Sequence, residues 1–223
     1  AHAAAGVMER RDRTMRAVVV RERRLAIARR AALDAAGDAL EGLDRVELDD
    51  ALPAHPVRDL VQAGQALDEA RGALEREAAR AYRDQSEAWL VVDGSLAEAP
   101  AAAGDPRMVA VSKSHATLPF EGEALERYLR LPMGHRSSIF VPASRRFVPV
   151  AAWALRLWPW EGRDLLHGLV RVEVAMTNGT TELADRLSRW LLAERAPVSA
   201  PDPRWDRLLY GVRRVEEYLR ARA

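Results

Sequence analysis

Two short apolar runs, each stopped abruptly by polar groups, constrain this chain more than any other feature of its sequence. Leu90-Val91-Val92 runs into Asp93-Gly94-Ser95 ahead of Leu96, and Val109-Ala110-Val111 runs into Ser112-Lys113-Ser114-His115. Short runs rich in Val and Leu, bounded by turn-forming residues, read as strands. A carboxylate and an ammonium therefore stand at the C-terminal ends of two strands. Gly94 lets the backbone turn directly after Asp93 without a Cβ clash, so the acid is presented at a sheet edge, as metal-binding and catalytic acids are. Lys113 is distinctive in another way: of the 34 Lys and Arg residues it is the only lysine. An ammonium is a compact point charge that reaches one phosphate oxygen or one water, whereas guanidinium is a broad planar fork. Lys113 is accordingly read as functional, against the alternative of a surface lysine. Asp93 is read the same way, against the alternative of a turn residue bonded to its own backbone.

A hydrophobic fraction of 48% over 223 residues is ample for a core and forces no division of the chain. The expectation is one domain, 1–223, with a helical and loop-forming N-terminal part over 1–56 ahead of a core over 57–223. The charge is balanced, 34 basic against 33 acidic, so nucleic-acid binding would have to come from a local patch. With no cysteine there is neither a disulfide framework nor a zinc-thiolate site. The absence of a signal peptide and of a membrane-length apolar run predicts no membrane contact and a cytoplasmic protein. The chain opens on Ala in mid-pattern, as a processed or trimmed form of a longer protein would.

Along the chain, the Ala-, Arg- and Leu-rich stretch from Val7 to Ala36 predicts one or two helices, with a competing strand at Ala17-Val18-Val19-Val20. Pro53 and Pro56 predict a loop. Leu60, Leu67, Ala70, Leu74, Ala78 and Ala81 recur at helical spacing and predict a helix over Val57 to Arg83. Strands follow at Trp89–Val92 and Met108–Ser112, then a helix over Glu123–Leu131. Three more strands are expected at Ser138–Val141, Val150–Leu157 and Leu169–Val174. In the last of these Arg171 and Glu173 alternate with valines, the pattern of a half-exposed strand. An amphipathic helix from Thr180 to Glu194, capped by Thr180 or Thr181, precedes a proline-rich loop and a final helix over Trp205–Arg222. The order of elements predicts an α/β chain with a mixed sheet flanked by helices.

Taken in order, Val92-Asp93-Gly94-Ser95-Leu96, Val111-Ser112-Lys113-Ser114-His115, Gly134-His135-Arg136-Ser137, Trp153-Ala154-Leu155-Arg156-Leu157, Gly168-Leu169-Val170-Arg171-Val172-Glu173-Val174, Leu183-Ala184-Asp185-Arg186-Leu187-Ser188, Asp202-Pro203-Arg204 and Leu209-Tyr210 resemble the NurA nuclease family. The likeness runs from about Ala70 to the C-terminus and lies in the order and spacing of these pieces. It implies an RNase H-like fold, a homodimer, and a Mn²⁺- or Mg²⁺-dependent prokaryotic nuclease that processes DNA ends. It also implies a partner, the HerA-type hexameric ATPase and translocase, in break repair or phage defence. Asp93 matches the acid of the family's second Asp-Gly motif and Lys113 the lysine that follows. The family's helix acid corresponds to Glu75, with Glu77 in reserve. Asp202, Arg204 and Tyr210 match a C-terminal motif. The family's earlier Asp-Gly motif has no counterpart before Asp93.

Phosphodiester hydrolysis needs an activated water and charge stabilisation at phosphorus and at the leaving oxygen, both of which carboxylate-held divalent ions supply. Asp93 and Glu75 are the expected ligands; hard oxygen donors suit Mg²⁺ or Mn²⁺. Lys113, His115, Arg136 and Arg156 are the expected DNA contacts, with Arg145, Arg146 and Arg171 as further channel residues. His115 and His135 are equally readable as loop histidines, and His167 as structural. Trp158 and Trp160 are read as interface residues. The alternative function is a catalytically weak NurA-like subunit that docks on a HerA-type ring.

Overall fold

The computed structural model describes residues 1–12, 14–96, 104–113, 118–142, 150–177, 179–195 and 209–222. It is an α/β protein whose chain divides into two compact units, Ala1–Ser86 with Val215–Ala223, and Glu87–Arg214.

The first unit begins with strands, in place of the helical N-terminal portion expected from sequence. β1 (His2–Arg11) and β2 (Thr14–Ala28) form an antiparallel hairpin, and β3 (Asp44–Glu47) joins β2 in parallel. Ala and Arg favour helix in isolation, but the buried residues Ala3, Ala5 and Val7 recur every second position. That is the period of a strand with one covered face. The β-branched run Val18-Val19-Val20 is stiff at χ1 and adds to the preference. The hairpin packs against the helix α2 (Pro56–Arg83), whose Leu74, Ala78 and Tyr82 are buried. Between β2 and α2 lie the short helix α1 (Arg30–Ala36), β3 and the expected loop. Arg29 fastens that loop, donating to both carboxylate oxygens of Asp59 at 2.8 Å each and to the Leu52 carbonyl at 2.8 Å. These bonds hold the Asp59 carboxyl below its usual range.

In the second unit β4 (Leu90–Asp93), β5 (Met108–Ser112), β6 (Val150–Arg156) and β7 (Leu169–Ala175) form one mixed sheet in the order β4-β5-β7-β6. β4 and β5 are parallel; β7 is antiparallel to both its neighbours. Helices α3 (Gly122–Leu129) and α4 (Thr180–Ala193) cover opposite faces. Alternation along the strands divides the core accordingly. Trp153, Leu155, Val170 and Val172 pack with Ala184, Leu187 and Leu191 of α4, and the Trp153 indole donates to Ser188 Oγ at 3.0 Å. Ala154 and Leu169 pack with Tyr128 of α3, Phe120 and Phe140. Each large apolar side chain so buried contributes about 1.5–3 kcal/mol. A last helix is α5 (Tyr210–Arg220).

Three local expectations change. The segment at Ser138–Val141 is not a continuous strand. It touches β6 through one isolated bridge, Phe140 to Ala152, and just before it Ser137 Oγ accepts from the Ala154 amide at 2.9 Å where a strand would offer a carbonyl. α4 is preceded by Gly179 at φ 80°, so a left-handed glycine takes the cap position expected for a threonine; the Thr180 hydroxyl bonds Thr177 instead. β7 is buried on both faces, not half-exposed. No described helix is long and apolar enough to cross a membrane.

Candidate functional site

Because β4 and β5 are parallel and adjacent, their C-terminal ends coincide. Asp93 stands in register with Val111, and Lys113 follows β5 directly. Lys113 Nζ lies 2.9 Å from Asp93 Oδ2, with 26% and 44% of the two side chains exposed. Gly94 has φ 122°, a conformation closed to residues with a Cβ, and its amide donates to the Val111 carbonyl at 3.1 Å. The turn that presents Asp93 is thus the one Gly94 was expected to make.

The far side of that turn is anchored inside the protein. Glu173 Oε2 accepts from Ser95 Oγ at 2.7 Å and from the Leu96 amide at 2.8 Å, while Arg171 Nε lies 2.8 Å from Glu173 Oε1. Glu173 is fully buried. It pairs in register with Ala110, one residue before Val111, so the carboxylates of Glu173 and Asp93 face opposite sides of the sheet. Sequence reasoning missed Glu173 by taking its alternation with valines as exposure. The available signal was an Arg and a Glu two positions apart in an otherwise apolar strand, the arrangement of an internal pair.

The remaining expected residues separate into groups. Glu75 and Glu77 lie on α2 in the first unit, where Glu75 pairs with Arg71 at 3.7 Å and Glu77 with Arg21 at 3.3 Å. Arg136 is partly exposed and donates to Asp185 Oδ1 at 2.6 Å and to the Ser137 carbonyl at 2.8 Å. Tyr210 opens α5, its amide donating to the Glu194 carbonyl at 2.6 Å. His135 is exposed, 3.1 Å from the Met133 carbonyl. His115, Asp202 and Arg204 lie outside the described residues, as do Arg145 and Arg146.

Arg156 requires a correction. The expectation made it a DNA contact, yet it has no exposed surface. Its guanidinium donates to the carbonyls of Leu129, Leu131, Leu165 and His167. It therefore ties the end of α3 to the turn before β7, and burial lowers its pKa to about 10. His167 is buried beside it. Trp158 packs within the same region, where Arg195 stands over its ring at 4.6 Å. A Cβ on Gly168, at φ 66°, would come within 2.6 Å of Trp158 Cβ, so only glycine admits this packing.

A Mg²⁺ or Mn²⁺ ion needs hard oxygen donors and is commonly held by one or two carboxylates together with substrate phosphate and water. Asp93 meets that requirement, being anionic, accessible and at the end of a fixed strand. Among the described residues no group of three or more His, Asp and Glu side chains stands ready to hold a metal ion. No protein-family model matches the chain, and no curated protein matches it either.

Proposed function

We propose that this chain is a divalent-metal-dependent DNA nuclease of the NurA type, with an RNase H-like sheet. In this reading it acts as a homodimer on DNA ends, together with a HerA-type hexameric translocase, in break repair or phage defence. The observation that carries the reading is the Asp93–Lys113 pair, an acid and the chain's single lysine meeting at 2.9 Å on adjoining parallel strand ends.

Asp93 would hold the Mn²⁺ or Mg²⁺. A divalent ion held there would supply charge stabilisation at the phosphate and a lowered pKa for the attacking water. Lys113 directs its ammonium at a non-bridging phosphate oxygen, a task for a point charge. Pairing with Asp93 keeps that ammonium at the strand end, where substrate meets it already oriented. Glu173 holds Ser95 and Leu96, so the backbone carrying Asp93 has nowhere to relax when its counter-ion changes. Arg136 offers a second cation to the DNA backbone.

The same pair favours a second reading, a NurA-like subunit that docks on a HerA-type ring and cuts weakly or not at all. An ammonium bound to Asp93 competes with any metal ion for that carboxylate. Labelled single- and double-stranded linear DNA, incubated with Mn²⁺ with and without the HerA-type ATPase, separates the two. The nuclease reading expects cleavage that disappears in Asp93→Asn. Folded protein that cuts nothing under all of these conditions leaves the docking subunit as the account.

A further inference from the structure

Side chains alternate along β4, so Val91 and Asp93 share one face, and Trp89 directly precedes the strand. Val91 and Asp93 stand in register with Val109 and Val111, and Trp89 packs against the same core as those valines. One end of this strip is the Asp93–Lys113 pair. At the other end Trp89 meets Trp190 of α4 edge to face, with ring centroids 5.9 Å apart at 80°. The Arg186 guanidinium, one helical turn before Trp190, lies 5.6 Å from the centre of its ring. Beside them is a groove of about 300 Å³ lined by Trp89, Pro106, Thr177, Glu182, Leu183 and Arg186.

Core packing accounts for Trp89 and Leu183, which lie against the core, but not for Trp190. Trp190 is 45% exposed and Val91 41%, in a sheet whose other strands are buried on both faces. The groove volume lies at the low end for ligand pockets, the size for one flat ring system and not for a whole cofactor. A cation stands at each end of the strip, Arg186 and Lys113, as a polyanion with flat apolar rings would require.

We propose that the Trp89–Trp190 cluster is a stacking subsite for single-stranded nucleic acid. A base stacks on the exposed surface of Trp190, Arg186 meets the neighbouring phosphate, and the strand runs along β4 toward Lys113. The inference rests on reading Asp93 and Lys113 as a phosphate-handling site. Four residues of strand span about 13 Å. That corresponds to three or four nucleotides at about 3.4 Å each in a stacked strand, so the subsite grips the substrate that far from the scissile phosphate.

The test is binding of a fluorescently labelled oligodeoxythymidine, followed by anisotropy at fixed salt with EDTA present. Wild type is compared with Trp190→Ala, Trp190→Phe and Arg186→Gln, each checked for fold by circular dichroism. Trp190→Ala is expected to weaken binding about tenfold, with Trp190→Phe retaining most of the affinity and Arg186→Gln intermediate. Wild type that fails to bind, or Trp190→Ala that binds as tightly as wild type, overturns the subsite. A Trp190→Ala variant that keeps its oligonucleotide affinity but no longer associates with the HerA-type ATPase overturns it too, in favour of a protein contact. Weakened binding in Trp190→Ala from a wild type that cleaves no DNA upholds the subsite and sinks the nuclease. Cleavage by wild type with unaltered binding in Trp190→Ala does the reverse.

Discussion

The sheet of the second unit contains two carboxylate–cation pairs of nearly equal length in very different places. Asp93 and Lys113 meet at 2.9 Å at the open ends of β4 and β5, whereas Glu173 and Arg171 meet at 2.8 Å inside β7. The Asp93 side chain keeps 44% of its surface exposed and the Glu173 side chain 1%. Distance therefore says nothing about role here, and burial says a great deal. A carboxylate taken out of water loses hydration worth several kcal/mol and has to be held by fixed partners. Glu173 is so held, by Ser95, Leu96 and Arg171. An exposed pair gains little from its contact, and either member of the Asp93–Lys113 pair can exchange its partner for a phosphate or a metal ion at small cost. One pair is committed to the fold and the other is available for chemistry.

The sharpest way to break that comparison is to delete the interior acid. Glu173→Ala leaves the Arg171 charge buried without its counter-ion and removes the acceptor of Ser95 and Leu96. It is expected to cost about 3–5 kcal/mol in urea denaturation. A loss under about 1 kcal/mol would make the interior pair equivalent to an exposed one and remove the distinction.

A smaller effect comes from Tyr128, on the α3 side of the same sheet. Burial pushes its phenol up to about 12. The folded state thus holds this proton more tightly than the unfolded chain, whose tyrosines titrate near 10. The stabilisation is fully present below about pH 10 and is lost as pH rises toward 12. Between pH 10 and 11.5 wild type should lose roughly 1–2 kcal/mol more than Tyr128→Phe does, at about 1.4 kcal/mol per pH unit. Parallel losses in the two proteins would mean that the phenol titrates as it does in water.

The same contrast explains what the sequence made legible. Asp93 and Lys113 could be placed because each interrupts an apolar run at its end, and a strand end is where a sheet stops hiding its side chains. Parallel pairing of β4 and β5 then brought the two together. Glu173 and Arg156 defeated the reading because a charge within a strand ordinarily marks solvent, and only tertiary structure supplies the carbonyls and amides that bury these two. β1 and β2 were misread for a related reason: composition pointed to helix, while the two-residue period of Ala3, Ala5 and Val7, weak in such small side chains, recorded the face that α2 covers. The expected helix acid had no such marker in the sequence: Glu75 and Glu77 sit in α2 among arginines that pair with both.

The smallest expected effect belongs to the exposed pair, and it is the most informative of the three. Asp93→Asn and Lys113→Met should each change stability by less than about 1 kcal/mol, and their double-mutant cycle should return a coupling energy of a few tenths to 1 kcal/mol that shrinks as salt is raised. The reason is that solvent already solvates both charges, so removing one leaves the other hydrated and not stranded. On the nuclease reading, cleavage should nonetheless vanish with Asp93→Asn, because that reaction would need its carboxylate and the fold does not. Large destabilisation in either single variant would show that the strand ends are held together by this pair as firmly as the interior is by Glu173. Asp93 would then be a structural acid at a sheet edge, and the nuclease reading would lose the residue on which it stands.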